Sequence, residues 1–288
     1  MLSYRHAFHA GNHADVIKHL TLVLCCEYYC QKNKAFHYID THAGAGLYNL
    51  NSKAATKNNE HSKGIATLLD HPAPPSVFNR YIELIQHSNK TQTSAYPGSP
   101  WFAGQLLRPH DQASLYEMHP TDFSLLAKLF SGNRRIKVKQ TDGYQSLKSL
   151  MPPASRRAIT LIDPPYEQEK EYQAVIQTLE DGISRFNTGT YIVWYPLINR
   201  SGTTKQMASN IMLKQIKAKF TQEQLHIQYS QDNQMKGMYG SGLAILNPPW
   251  IIEDKLREAL RFLCSLDDTK TQTFSIESMA AKQGNSKR

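Results

Sequence analysis

Ile159-Thr160-Leu161-Ile162 is a short apolar run that ends in Asp163-Pro164-Pro165-Tyr166. A run of this length, free of charge and closed by a proline pair, reads as a buried strand of a parallel sheet. Proline fixes φ and carries no N–H, so the turn after the strand is stiff and offers acceptors only. A carboxylate, a proline carbonyl and an aromatic ring therefore arrive together at the strand's carboxyl end. That trio suits the exocyclic amine of a purine. Asp163 can accept one N–H and the Pro164 carbonyl the other, which holds the nitrogen in its pyramidal, nucleophilic form. Tyr166 can stack on the base, a contact worth roughly 1–3 kcal/mol. The bland use of the same residues is a rigid turn that ends a strand. Asn247-Pro248-Pro249-Trp250 repeats the pattern after Leu243-Ala244-Ile245-Leu246.

Upstream, Phe36-His37-Tyr38-Ile39-Asp40 reads as a strand running into Thr41-His42-Ala43-Gly44-Ala45-Gly46. Glycine lets backbone and ligand approach closely, so strand followed by Gly-x-Gly opens many nucleotide sites. The third glycine of a dinucleotide fingerprint is missing, because position 49 is Asn49. Strand Ala113–Tyr116 ends at Glu117, strand Ile136–Lys139 leads to Asp142-Gly143, and the opening strand ends at Asp163. Further strands are expected at 190–195, 225–230 and 242–247, with helices at 14–31, 121–131, 169–186, 203–219 and 253–264. Strands alternating with helices imply a parallel sheet covered on both faces. Ligands of such sheets bind outside the carboxyl ends of the strands, where these acids collect. A lone acid there is usually a cap; three in register beside Gly-x-Gly point to a nucleoside.

Residues 47–98 interrupt the rhythm with a polar stretch and short helices near 63–70 and 76–88, an expected helical insertion. The main domain then spans 1–46 and 99–266, and 267–288 form a polar, loose C-terminal tail. Lys18 and His19 stand in the first half of the helix 14–31, where a cation is unfavourable unless an anion faces it.

The chain has 288 residues and a formal charge of +9, which suits a polyanionic partner. No stretch approaches the ~20 apolar residues of a membrane helix. The N-terminus lacks the apolar core of a signal peptide, so a cytoplasmic protein is expected. Cys25, Cys26, Cys30 and Cys264 show no Cys-x-x-Cys spacing and read as reduced thiols. His9 and His13 have the i, i+4 spacing of metal ligands, yet no carboxylate or thiolate completes a set, so no metal is expected.

The strand-end acids, Gly-x-Gly and Asp-Pro-Pro-Tyr resemble the class I S-adenosylmethionine-dependent amino-methyltransferases. Tyr4-Arg5-His6-Ala7-Phe8-His9-Ala10-Gly11-Asn12-His13-Ala14-Asp15, Lys18-His19, Asp40 to Gly46, Tyr96-Pro97-Gly98-Ser99-Pro100 and Ile162 to Tyr166 go further. They resemble the bacterial 23S ribosomal RNA (adenine-2030-N6)-methyltransferase family over most of the chain. The resemblance implies a seven-stranded Rossmann-like α/β sheet whose last strand is antiparallel, which would set Asn247-Pro248-Pro249-Trp250 on the edge opposite the cofactor. It implies S-adenosylmethionine as cofactor, with Lys18, His19, His42, Gly44 and Ser99 around its methionine end, Glu117 on the ribose and Asp142-Gly143 on the adenine. Asp163, Pro164 and Tyr166 would carry the chemistry, with Asp163 also a cofactor-binding residue, and Tyr4 and His6 would face the RNA. It also implies a monomer with no obligate protein partner, acting on protein-free or early-assembly 23S RNA. Two other readings share parts of the pattern: a DNA adenine-N6 methyltransferase, for which no separate DNA-reading module is apparent, and a non-catalytic RNA-binding protein on a methyltransferase fold.

Overall fold

A computed structural model describes residues 6–91, 93–199, 204–232 and 236–282. Tyr4 and Arg5 lie outside the described residues. The chain runs α1 (His13–Cys30), β1 (His37–Asp40), β2 (Leu47–Asn49), α2 (Lys53–Asn58), α3 (Ile65–Asp70), α4 (Asn79–Thr91), β3 (Ala95–Pro97) and α5 (Ser99–Leu106). It continues β4 (Gln112–Tyr116), α6 (Pro120–Leu129), β5 (Ile136–Lys139), α7 (Gly143–Leu150), β6 (Ala158–Ile162), α8 (Lys170–Arg185) and β7 (Thr190–Asn199). It closes with α9 (Thr204–Lys219), β8 (Gln224–Ser230), β9 (Gly237–Leu246), α10 (Ile252–Ser265) and β10 (Thr273–Met279).

The main sheet has the order β10-β8-β9-β7-β6-β1-β4-β5. β1 pairs in parallel with both β4 and β6, and β6 with β7. Every residue of β6 is buried, as expected of a strand covered on both faces. The chain leaves β1 toward β4 and β5, then returns to the other side of β1 with β6 and β7. The order therefore reverses between β1 and β6, and the crevice at their carboxyl ends is the natural ligand position of such a sheet.

Two expectations are corrected. The sheet has eight strands, not seven, and the eighth comes from the tail expected to be loose: β10 pairs antiparallel with β8 along its whole length. Phe274 and Ile276 alternate with Ser275 and Glu277 and pack on the core, a period-two pattern that composition alone hides. The second concerns the strand expected at 242–247, which begins earlier, at Gly237, and takes in three glycines. A Cβ on Gly242 would stand 2.2 Å from the Tyr195 ring and one on Gly240 2.4 Å from the Tyr229 carbonyl, so these glycines let β9 lie against its neighbours. β9 is antiparallel to both β7 and β8.

Between β1 and α5 the described residues form three α-helices where two helices were expected, and a small β2–β3 ladder. Phe78, Tyr81, Leu84 and Ile85 from this stretch share an apolar cluster with Leu20 and Val23 of α1. α1 itself is buried on nearly all sides, including Asp15, Lys18 and His19. Its N-terminus is capped by Asn12, whose side chain accepts from the Asp15 N–H at 3.0 Å. Among the described residues no helix is long and apolar enough to cross a membrane.

Candidate active site

The carboxyl ends of β1, β4, β5 and β6 converge on a cavity of about 570 Å³. His6, Lys18, His19, His42, Gly44, Ser99, Glu117, Asp142, Gly143, Asp163, Pro164 and Tyr166, every described residue singled out from the sequence for this site, line it.

Its floor is the loop after β1. Gly44 has φ +63°, and a Cβ there would meet the Tyr48 hydroxyl at 2.2 Å, so only glycine fits. The Gly44 N–H donates to Glu117 Oε2 at 2.8 Å, while Glu117 Oε1 accepts from the His119 N–H at 2.6 Å. Burial raises the Glu117 carboxyl, against the pull of these two N–H groups. A carboxylate has about four lone-pair positions, so capacity for further donors remains. Asp142 caps α7, with Oδ1 accepting from the Tyr144 N–H at 2.8 Å. Gly143 lies so close to Thr41 that a Cβ would stand 2.1 Å from its carbonyl oxygen.

Asp40 ends β1 fully buried. It accepts from Tyr38 Oη at 2.6 Å, Ser99 Oγ at 2.7 Å and the His42 N–H at 3.2 Å. Burial pushes its carboxyl up to about 6 although these donors oppose the shift. Asp40 thus fixes the loop and the start of α5 from beneath. Burial also lowers the His42 imidazole to about 3, so the ring is neutral against Tyr144, with centroids 4.6 Å apart.

The opposite wall is a chain of charges. Lys18 Nζ donates to Asp163 Oδ2 at 2.6 Å and lies 2.9 Å from Asp15 Oδ1. Asp15 Oδ2 meets His6 Nε2 and accepts from the Gly11 N–H, both at 2.9 Å. Burial alone would raise the Asp15 carboxyl, but His6 and Lys18 hold it well below the ordinary carboxylate range. Burial would lower the Lys18 ammonium, and its two carboxylates reverse that and raise it. His19 turns Nδ1 to the Tyr96 hydroxyl at 2.9 Å, and burial keeps it neutral. The anion that a lysine early in α1 calls for is thus supplied by the chain's own Asp15 and Asp163. Sequence reading missed Asp15, although its i, i+3 spacing to Lys18 was available as a signal.

Tyr166 takes φ +51°, an uncommon backbone conformation for a bulky side chain and one that gathers at functional sites. It is held there by its hydroxyl, which donates to the Trp194 carbonyl at 2.7 Å, and by the Tyr172 ring, 4.5 Å between centroids. Trp194 was also missed. It lines the cavity, Lys18 Nζ stands 5.7 Å from its ring centroid, and its buried Nε1–H has no hydrogen-bond partner among the described residues. An orphan donor of this kind in a cavity wall is suited to a ligand acceptor.

Asn247-Pro248-Pro249-Trp250 lies elsewhere. Leu246 pairs with Tyr191 near the start of β7, so β9 ends at the amino edge of the parallel strands, away from Asp163.

The family described as RsmJ, ribosomal RNA large subunit methyltransferase D, RlmJ, matches residues 33–277. The ribosomal RNA large subunit methyltransferase J of Escherichia coli K12 is 42% identical over 266 residues, 92% of this chain and 94% of that protein. The protein of the same name from Haemophilus influenzae is 40% identical over 267 residues, 91% of this chain and 93% of that protein. A crystal structure of a Legionella pneumophila protein superposes with a TM-score of 0.86 at 36% identity, covering 94% of this chain and 98% of that one.

Proposed function

This chain belongs to the RsmJ (RlmJ) family of ribosomal RNA large subunit methyltransferases, and we propose that it methylates N6 of a single adenine, position 2030, of 23S ribosomal RNA. The methyl donor is S-adenosylmethionine. The observation that carries the reading is the meeting of Asp163-Pro164-Pro165-Tyr166 with Gly44, Glu117 and Asp142 around one cavity.

The residues present fit this cofactor. Gly44 and Gly143 keep side chains out of the space beside the β1 loop, and Glu117 keeps acceptor capacity for ribose hydroxyls after binding two backbone N–H groups. Asp142 uses Oδ1 on α7 and keeps Oδ2 for the adenine amino group. An ammonium carries three hydrogens; Lys18 donates one to Asp163 and stands 2.9 Å from Asp15 Oδ1 in an ion pair. A remaining hydrogen can meet a methionine carboxylate, with neutral His19, His42 and Ser99 beside it. When bound, S-adenosylmethionine supplies a methyl group on a sulfonium that needs no activation.

The protein's task is then to position the amine. A base inside a helix cannot reach the methyl group, so the adenine must be unpaired or flipped. Asp163 and the Pro164 carbonyl accept its two N–H donors and aim the nitrogen lone pair, while Tyr166 packs on the ring. The nitrogen becomes acidic only as it gains the methyl, and its proton then passes to Asp163 and on to water. His6, together with Tyr4, faces the RNA. The enzyme works as a cytoplasmic monomer on protein-free or early-assembly RNA, with no obligate protein partner. Residues 1–46 and 99–266, joined by β10 from the tail, form the catalytic domain, and 47–98 a helical insert.

The test is methyl transfer from labelled S-adenosylmethionine to protein-free 23S RNA, with nucleoside mass spectrometry of the product. N6-methyladenosine at position 2030 is expected. Methyl on another atom, or undiminished labelling of RNA with that adenine replaced, overturns the reading.

A further inference from the structure

The second proline pair also lines a cavity, of about 580 Å³, at the amino edge of the parallel strands. Arg157 immediately precedes β6 and Asp163 immediately follows it. At ~3.3 Å per residue the two cavities are therefore separated by about 20 Å of sheet.

The chemistry of this second cleft is one-sided. Lys32, Lys34, Arg156 and Arg157 all line it, and among the described residues none of the four is ion-paired with a carboxylate. Lys32, Lys34 and Arg156 are exposed. Arg157 is held rigidly: its guanidinium donates to the Lys34 carbonyl at 2.6 Å and the Tyr29 carbonyl at 3.0 Å, and sits 4.6 Å from the Tyr29 ring centroid.

Against this basic rim stands Trp250, 78% exposed, the most exposed of the large apolar side chains among the described residues. An indole this exposed, at the rim of a basic cleft, leaves a ring face open to stack on a base. Asn247 spends both hydrogens of its amide nitrogen on the carbonyls of Asn187 and Gly189, at 2.8 and 2.7 Å. It is left with an acceptor and no donor, and the prolines beside it likewise offer only carbonyls. Cations without a carboxylate partner, an exposed indole and acceptor-only groups are what a single-stranded nucleotide meets: phosphates on the cations, a base on the ring, an amino group on an acceptor.

We propose that this cleft binds an unpaired segment of the RNA substrate that flanks the target, so that the RNA is held at both edges of the sheet. The inference rests on the ribosomal RNA reading above. Charge complementarity favours RNA over an acidic protein, because Trp250 adds a stacking surface that an acidic side chain does not use.

The experiment measures affinity of the full chain for protein-free 23S RNA, and for a short stem-loop holding only the target adenine, as a function of salt. Trp250→Ala is expected to weaken the long RNA about tenfold, on the order of one stacked base, and Trp250→Phe to restore it. Lys32→Ala/Lys34→Ala is expected to make the plot of log affinity against log salt shallower by about 1.4, the share of two single-strand phosphates. The stem-loop and S-adenosylmethionine should bind all variants like the wild type. All altered side chains are exposed, and circular dichroism verifies folding. If folded variants bind the long RNA with unchanged affinity and salt slope, the inference is overturned and an acidic protein takes precedence as occupant. If the wild type itself neither binds nor methylates 23S RNA, the functional reading falls, and this inference with it.

Discussion

Lys18 Nζ lies 2.6 Å from Asp163 Oδ2 and ties the first helix to the carboxyl end of β6. The pair is nearly dry, with Lys18 5% and Asp163 15% exposed, and Asp15, 1% exposed, completes it from within α1. Three charges out of water are tolerated because each has a partner. Lys18→Met leaves the Asp163 carboxylate without its cation and Asp15 with only the His6 side of its pairing, and breaking such a group costs about 3–5 kcal/mol. The expected outcome is a lower denaturant midpoint at unchanged slope. Adding Asp163→Asn should recover part of the loss, because one of the uncompensated charges goes. A midpoint within experimental error of wild type for Lys18→Met would show that the triad does not hold the fold.

Asp40 predicts a pH dependence. Its folded carboxyl is pushed up to about 6 by burial, above the ordinary 3.8. Between those values the unfolded chain has released the proton and the folded chain has kept it. Folded protein therefore binds more protons, and stability falls as pH rises through this window, by about 1.4 kcal/mol per pH unit at most, then levels. Asp40→Asn cannot ionise. Chemical denaturation of both proteins from pH 3.5 to 7.5 should show wild-type stability declining relative to the variant up to about pH 6, with a constant difference above. A constant difference throughout would mean that Asp40 ionises normally.

The ribose role proposed for Glu117 can be separated from its part in the fold. Its two oxygens already bind the Gly44 and His119 N–H groups. Glu117→Gln keeps one acceptor oxygen and loses the charge, whereas Glu117→Ala also strands both N–H groups. Calorimetry with S-adenosylmethionine should show a loss of about 1.5–3 kcal/mol for the alanine variant, the scale of charge-assisted hydrogen bonds. The glutamine variant should fall between. Wild-type affinity in a folded Glu117→Ala protein removes Glu117 from the ribose.

The strand ends were legible because each was punctuated: apolar run, acid, then glycine or proline. That pattern placed Asp163, Glu117 and Asp142 at strand ends, and the structure brings all three to the same cavity. β10 was not legible, since it is an edge strand half in water and its alternation of Phe274 and Ile276 sits in a polar tail. β9 was obscured by glycines whose purpose, room for Tyr195 and the Tyr229 carbonyl, exists only in the folded sheet. Asp15 and Trp194 were missed for a related reason. Each sits in an ordinary helical or strand pattern, and its importance comes from partners far along the chain, Lys18 with Asp163 and Tyr166 with the Trp194 carbonyl.

The proposed role of Asp163 can be tested at the chemical step. Its Oδ2 is engaged by Lys18, and in the proposed reaction the other oxygen, with the Pro164 carbonyl, takes the two N–H donors of the amine. Because the donor's methyl group is already electrophilic, the protein's contribution is orientation of the amine and a negative charge placed where positive charge develops. Removing one such preorganised group typically costs about 10²–10³-fold in turnover. Asp163→Ala should lose at least that much, because it also frees the Lys18 ammonium to sit, uncompensated on one side, beside the nitrogen that turns cationic. Asp163→Asn keeps a neutral acceptor and should retain more activity than alanine, with S-adenosylmethionine affinity near wild type in both. Single-turnover methyl transfer to protein-free 23S RNA, read by nucleoside mass spectrometry, separates the chemical step from release. A folded Asp163→Ala enzyme with wild-type single-turnover rate would remove Asp163 from the methyl-transfer step and leave Lys18 and Asp15 as a purely structural pair.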